Sequence, residues 1–581
     1  MTIQESNKLS SLFFYTGFLL ICILAGTFLI SSLFFFLKIP MSPWQFPLGI
    51  LTASLLSYYT LTRSREKQDL NLYMVFGIPL LLVAMSVAMS GYFYDVSFDG
   101  QAYHQEALIQ MKNGWNPYFE YLPKTVNQAI WVNHYAKGME TVQAAIYAAT
   151  GNIETGKATN VILWLASLFL TLSLIIRNHW MSLTKAAVLS IILAGNPIVL
   201  NQMPTYYVDG ALGSLLLCLI VTGISILQTP RTRHLLILSI TIFILVNVKF
   251  TATLYIAVFV GGFWIWALLN KDTSTAKKIW WTSVAAGIIG IVCGFNPYIT
   301  NTINFGNPLY PLMGKNKVDI INALNLPAGF EHKTGIERFV LSLFSRTDNL
   351  YPKSPYPIEL KLPFTFNKID LAHAPMVDAR LAGFGPMFSG ILLLSLVILV
   401  IIYRNSRTER FFKNMIWMIV LIVVSVIVMP ESWWSRYIPQ FWLLPAGILL
   451  SAEVLFSSRH KILKRLLYAV MMINLLFCLL GFIFNLILTT RINYQLALLK
   501  SSSETILVDL GDSQSNRLRF TRNKIPYKIT KFHGTGVNEE YMAGSQTCFI
   551  WPSHVDKSIQ EPWLLRKAGK LLPFMWQYYG R

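Results

Sequence analysis

YDVSFDGQAYHQE, residues 94–106, decides how this 581-residue chain is read. It follows an unbroken apolar run and sets Asp95 and Asp99 at the end of that run. Two carboxylates at a membrane boundary are costly unless they have a partner or a task. Composition fixes the class: 54% of residues are hydrophobic, 13% are charged, and the mean hydropathy is +0.49. These values exclude an ordinary soluble globular chain. Stretches such as LLILSITIFILV and MMINLLFCLLGFIFNLIL are too apolar and continuous for soluble core helices. About thirteen runs approach the roughly 17–25 residues that a bilayer demands. They lie near 11–37, 44–61, 72–92, 158–176, 185–203, 211–227, 235–248, 251–269, 279–295, 386–403, 414–430, 437–456 and 466–489. The expected fold is an all-α polytopic membrane protein. The runs 235–248 and 251–269, around Asn247, Lys249 and Thr251, fit two spans or one broken helix. The first run ends in KIPMSP, not in a small-residue cleavage site, and reads as a retained anchor.

A net charge of +20 invites a nucleic-acid partner, but its distribution argues against one. With the N-terminus inside, the basic short-loop residues fall on one side: Arg63, Arg65, Lys67, Arg177, Lys185, Arg231, Arg233, Lys271, Lys277, Lys278, the run Arg404 to Lys413, then Arg459, Lys461, Lys464 and Arg465. The opposite turns, IPMSPW, PTYYVDG and ESWWSRY, are nearly free of Lys and Arg. That is the positive-inside pattern, so the charge is mainly a topology signal. Three larger segments then face outward: about 93–157, about 296–385 and the tail. The chain divides into an N-terminal hairpin (1–70), a membrane core (71–489) and a small α/β C-terminal extramembrane domain (490–581). In that tail ETILVDL, KIPYKIT and TCFIWP read as short strands. The basic, aromatic stretch EPWLLRKAGKLLPFMWQYY suits either a membrane surface or a place against the domain. Four of the five cysteines lie within apolar runs and Cys548 stands alone in the tail, which leaves no disulfide framework.

Chemistry concentrates on the outward side. Asp99 stands where an N-cap would stand, before a short helix that Asn113-Gly114 ends. Capping does not account for Asp95, Tyr103, His104 and Glu106 beside it. A second cluster, WVNHYAKGMETVQ, adds His134 and Lys137, which an aromatic belt at the interface leaves unexplained. Asp209 tops a later span in MPTYYVDGALG, and NPYITNTINFGNPLYPLMG is dense in Asn, Gly and Pro. AHAPMVDARLAGFGPMF carries Asp378 and Arg380, and PESWWSRYIPQ carries Glu431 and Arg436. Each alone has an ordinary explanation, since a loop Asn-Pro turns and an interfacial Arg snorkels. All fall on one face, and the inward loops hold nothing comparable.

YDVSFDGQAYHQEALIQ, the NHYAKG segment, FGNPLYPL and WWSRYIP together resemble the GT-C superfamily over roughly residues 70–460. Its members are polytopic glycosyltransferases that use polyprenyl-phosphate sugars, among them the protein O-mannosyltransferases and the lipid A aminoarabinose transferases. One departure is the additional N-terminal hairpin, because in many relatives the acidic loop follows the first span. The resemblance implies an outer-face acceptor (lipid, glycan or protein), a membrane-borne donor, inversion at the anomeric carbon and a bacterial inner-membrane setting. It assigns the general base to Asp99, with Asp95 in reserve. It draws Arg436, Lys137 and Arg380 to the leaving phosphate, where Arg offers a fork and Lys a point charge. Tyr103, His104, Glu106, His134 and Asp209 complete the candidate substrate-binding set. Asp95, Asp99 and His104 are also candidate ligands for a divalent metal, although no spacing enforces it. No GxGxxG or P-loop sequence is present. The alternatives are a lipid-linked glycan polymerase or O-antigen ligase, using Arg338, Arg346 and Arg380, and a lipid-linked saccharide transporter, to which Lys249 would belong.

Overall fold

Every backbone N–H and C=O inside a bilayer needs an internal partner, so apolar runs of this length have the helix open to them. The computed structural model of the chain describes residues 2–64, 70–319, 325–349, 358–456, 459–532, 536, 538–556 and 558–571. Among these, nine helices are long and apolar enough to cross a membrane: Ile3–Phe36, Leu72–Tyr92, Ile153–Arg177, Asp209–Gln228, Phe250–Leu269, Thr273–Cys293, Phe388–Ser406, Arg410–Ile427 and Lys461–Lys500. Asp209–Gln228 is buried along almost its whole length and forms the centre of the bundle. The peripheral helices leave Leu81, Met85, Trp281, Ile288, Ile289 and Val397 exposed. Water penalises such an apolar perimeter and lipid accepts it. The chain is a predominantly helical membrane protein.

The other four expected runs are helices outside that set. Gln45–Thr62 has 18 residues, and Leu183–Ala194, Thr232–Val248 and Pro439–Leu455 are shorter apolar helices. The run 185–203 divides at Asn196-Pro197. The first helix stops at Ala194, Asn196 Oδ1 accepts the N–H of Ile198, and a separate turn spans Pro197–Gln202. Proline suits the first helical position because its missing N–H would be unpaired there. Lys249 is a single extended residue (φ −161°, ψ 146°) between Thr232–Val248 and Phe250–Leu269, which are therefore two helices.

Lys461–Lys500 is one continuous helix of 40 residues, so the span expected to stop at 489 runs on into the C-terminal domain. Leu488, Ile492, Leu496 and Leu499 on its extension share a core with Ile506, Val508, Phe520 and Phe549. The domain's sheet has the order β2-β1-β4-β3. Ile506–Asp509 (β1) lies parallel to Tyr527–Ile529 (β2) and antiparallel to Cys548–Ile550 (β4). Glu539–Tyr541 (β3), antiparallel to β4, had no apolar signature to announce it. Trp563–Leu571 is helical, and its Leu565 and Ala568 pack against Ile487, which seats this part of the basic terminal stretch on the long helix; 572–581 lie outside the described residues. All five cysteines are free and buried.

Candidate active site

The segment around Arg436 is docked on 378–380 by two backbone hydrogen bonds and by the Trp434 indole. Trp434 Nε1–H donates to Asp378 O at 3.0 Å, Ser435 N–H to Arg380 O at 3.1 Å and Arg436 N–H to Ala379 O at 3.2 Å. Ala379 (φ 41°) and Ala382 (φ 47°) sit in the left-handed region, which costs a residue with a Cβ on the order of 1 kcal/mol or more. Such strain persists only where the surroundings impose it, and here it holds Asp378, Arg380 and Arg436 beside one another.

Arg436 is the hub of a buried charge cluster. Its Nη1 lies 3.3 Å from Asp99 Oδ2 and 3.7 Å from Asp209 Oδ2, and its Nε 3.3 Å from Asp378 Oδ1. Asp378 Oδ2 is 3.5 Å from Arg380 Nε, and Asp209 Oδ1 is 2.5 Å from Lys249 Nζ. Three carboxylates thus face three cations, the balance that buried charge requires. The Arg436 guanidinium also lies 4.6 Å over the Trp434 ring and 4.9 Å over Tyr207, and Lys249 lies 4.0 Å over Tyr437. Burial raises the Asp378 carboxyl above the usual range, and Arg436 and Arg380 pull it back. Asp99 keeps 19% of its side chain exposed against 2% for Asp209 and 10% for Asp378. It is therefore the carboxylate an incoming group can reach. Arg436 Nη2 makes no hydrogen bond among the described residues, nor do the phenol oxygens of Tyr103, Tyr135, Tyr207 and Tyr437. Burial and the nearby Asp99 charge push the Tyr103 phenol well above its ordinary value.

Asp99 is not a capping residue. Its backbone is helical (φ −58°, ψ −37°) and its side chain caps nothing, because a π-turn over Gly100–His104 continues directly from it into Gln105–Lys112. Such wide turns re-aim side chains and favour functional sites. Gly100 is required there, since a Cβ would collide with the Asp95 carboxylate. Asp95 itself is occupied elsewhere: Oδ1 accepts the Ser97 N–H at 2.7 Å and Oδ2 the Tyr206 N–H at 2.9 Å. It ties the first loop to the 203–207 turn and stays outside the cluster.

Of the remaining candidates, His104 Nδ1 pairs with Glu140 Oε1 at 2.7 Å. Glu106 takes a two-pronged contact from Arg517 of the C-terminal domain, at 2.7 and 2.9 Å. His134 Nδ1 is 2.8 Å from Asn301 Oδ1, and burial lowers this imidazole to about 4. Lys137 donates to Asn296 Oδ1 at 2.6 Å and to Tyr135 O at 2.8 Å. Burial lowers its amine to about 7, a shift that Glu140 partly opposes. These two residues stitch the first loop to the Asn/Gly/Pro-rich segment, where Asn301 Nδ2 reaches His134 O and Tyr310 O. The fold therefore brings together Asp99, Asp209, Arg380 and Arg436, with Tyr103 beside them. Asp95, His104, Glu106, His134 and Lys137 hold the loops around that group. Sequence reasoning passed over Lys249, Tyr207 and Tyr437 as site members, and gave Asp378 no role although it stands close to Arg380. The separation of Asp95, Asp99 and His104 among different partners also dissolves the proposed metal trio. Among the described residues no three His, Cys, Asp or Glu side chains are grouped to hold a metal ion. Comparison with protein-family models, curated proteins and solved structures finds no match for this chain.

Proposed function

We propose that this protein is a membrane-embedded glycosyltransferase of the GT-C kind, moving a sugar from a polyprenyl-phosphate donor to an acceptor at the face of the bilayer that holds the Asp99–Arg436 cluster. The observation that carries this reading is the pairing, at 3.3 Å, of the most exposed carboxylate of the cluster with a guanidinium that keeps Nη2 uncommitted. Asp99 takes the proton from the acceptor hydroxyl or amine as that atom forms its bond to the anomeric carbon. The bond from this carbon to the phosphate oxygen breaks, its electron pair leaves with the lipid phosphate, and the configuration inverts. Negative charge grows on the phosphate in a dry site, where a fixed guanidinium stabilises it most effectively. A donor phosphate competes with Asp99 for Arg436 Nη1. Donor binding therefore frees the carboxylate for its role as base. Asp209 and Asp378 hold Arg436 in place, and Lys249 neutralises Asp209.

The finer topology belongs to the same reading: thirteen spans, basic loops in the cytoplasm, and the cluster facing the periplasm or exterior of a bacterial inner membrane. Arg338 and Arg346, on which the polymerase or ligase alternative relies, are engaged elsewhere: Arg338 with the Phe330 carbonyl, Arg346 with Glu359 and Asp370. The test compares Asp99→Asn with wild type in detergent, using radiolabelled polyprenyl-phosphate sugars and following both donor binding and release of free lipid phosphate. The expected result is equal binding with turnover lowered about 10²–10⁴-fold. Equal turnover by both proteins moves the base elsewhere. If wild type binds none of the donors, saccharide transport becomes the better account, because the Lys249–Asp209 pair at a helix break suits it.

A further inference from the structure

At the end of the bundle opposite the charge cluster, a cavity of about 530 Å³ is lined by residues of the Leu183–Ala194, Leu443–Leu455 and Lys461–Lys500 helices. The middle helix starts beyond Arg436 and carries Glu453 at its far end, roughly 15–20 Å away at 1.5 Å per residue. Glu453 is buried and takes Lys185 Nζ at 2.6 Å and Lys464 Nζ at 3.3 Å. Lys461 and Arg465 also line the cavity and form no ion pair among the described residues. The cavity is therefore lined by four cations and one carboxylate, which only Lys185 and Lys464 contact. Lys461, Lys464, Arg465 and Tyr468 recur at helical spacing on one face, at the end of the helix where unpaired N–H groups add positive potential. The Tyr468 hydroxyl is buried against this cavity with no hydrogen-bond partner among the described residues. Val188, Ala469 and Met472 are apolar lining residues, and Ile462 and Leu466 on the same helix are exposed. The site is cationic and polar at one end, and it continues into apolar surface.

We propose that this cavity binds the phosphodiester headgroup of an anionic bilayer phospholipid, with Lys461 and Arg465 on the phosphate and Val188 and Met472 along the acyl chains. Basic pockets between spanning helices suit such headgroups. A lysine that only snorkels needs neither the buried Glu453 that orders its neighbours nor an unpartnered phenol. The proposal does not depend on the transferase reading.

The test is native mass spectrometry of the full chain in detergent, titrated with phosphatidylglycerol or phosphatidylcholine. Lys461→Ala combined with Arg465→Ala removes two exposed side chains and leaves the Lys185–Glu453–Lys464 set in place. Wild type should retain phosphatidylglycerol at least tenfold better than phosphatidylcholine. The double variant should bind phosphatidylglycerol about thirtyfold more weakly, or about 2 kcal/mol at 1.4 kcal/mol per decade. Equal retention of the two lipids, or unchanged affinity in the double variant, overturns the proposal. Displacement of phosphatidylglycerol by millimolar inorganic phosphate assigns the site to a free anion and overturns the lipid assignment. A phosphatidylglycerol-induced rise in Tm, present in wild type and absent in the double variant, is expected as the second readout.

Discussion

Asp95 and Asp99 share one short loop and have unrelated surroundings. Asp95 is fully buried with two backbone N–H partners, whereas Asp99 faces Arg436 and keeps partial exposure. The sequence shows two carboxylates at a boundary, and only neighbours contributed from remote segments distinguish them. Arg436→Lys tests the hub, because a single ammonium cannot serve three carboxylates from one planar fork. Turnover should fall at least about 10²-fold, and Tm should fall as buried carboxylates lose their partner; thermal unfolding alongside donor turnover reads both. Gly100→Ala should lower Tm, because the Asp95 carboxylate occupies the space of the new methyl group. His134 gives a pH signature. Burial sets its folded value at about 4, against an ordinary 6.5, so the unfolded chain holds more protons between these values. Stability therefore falls as pH drops from about 6.5 to 4, and a His134→Gln variant should flatten that part of the Tm–pH curve.

At the scale of elements, the C-terminal domain clamps the loop that carries Asp99. Arg517 grips Glu106, Arg519 Nη2 donates to Asp95 O at 2.7 Å, and Gln101 Nε2 reaches Gly544 O at 2.8 Å. Glu106 is buried, so Arg517→Ala strands its charge at a cost of about 3–5 kcal/mol. Hydrogen exchange over 95–112 should speed up in that variant and recover in Glu106→Gln with Arg517→Met, which removes both charges. Unchanged exchange in the single variant would reduce the clamp to a surface contact. Element identity was legible to a useful degree: the apolar runs became helices, and three of the four strands sit where β-branched and aromatic residues alternate. What escaped was continuity. The long helix through 489 carries Thr489, Thr490, Arg491 and Asn493, which read as the end of a span. The helix persists because Ile492, Leu496 and Leu499 bury against the domain.

For the whole molecule, the basic loops and the charge cluster belong to opposite ends of the bundle. In a cysteine-labelling experiment, Lys413→Cys and Lys124→Cys should react with an impermeant maleimide from opposite sides of the membrane. Labelling of both from one side would invert part of the proposed topology. The sequence by itself determined the membrane class, the helical architecture and the segments in which polar residues gather. These follow from local rules, since apolar length, charge and turn chemistry are written along the chain. Tertiary structure decided which of those polar residues meet. Asp99, Asp209, Lys249, the Asp378–Arg380 pair and Arg436 come from five segments far apart in the chain. Their pairing is set by how the helices pack, because a buried charge is stable only beside the partner that packing brings to it.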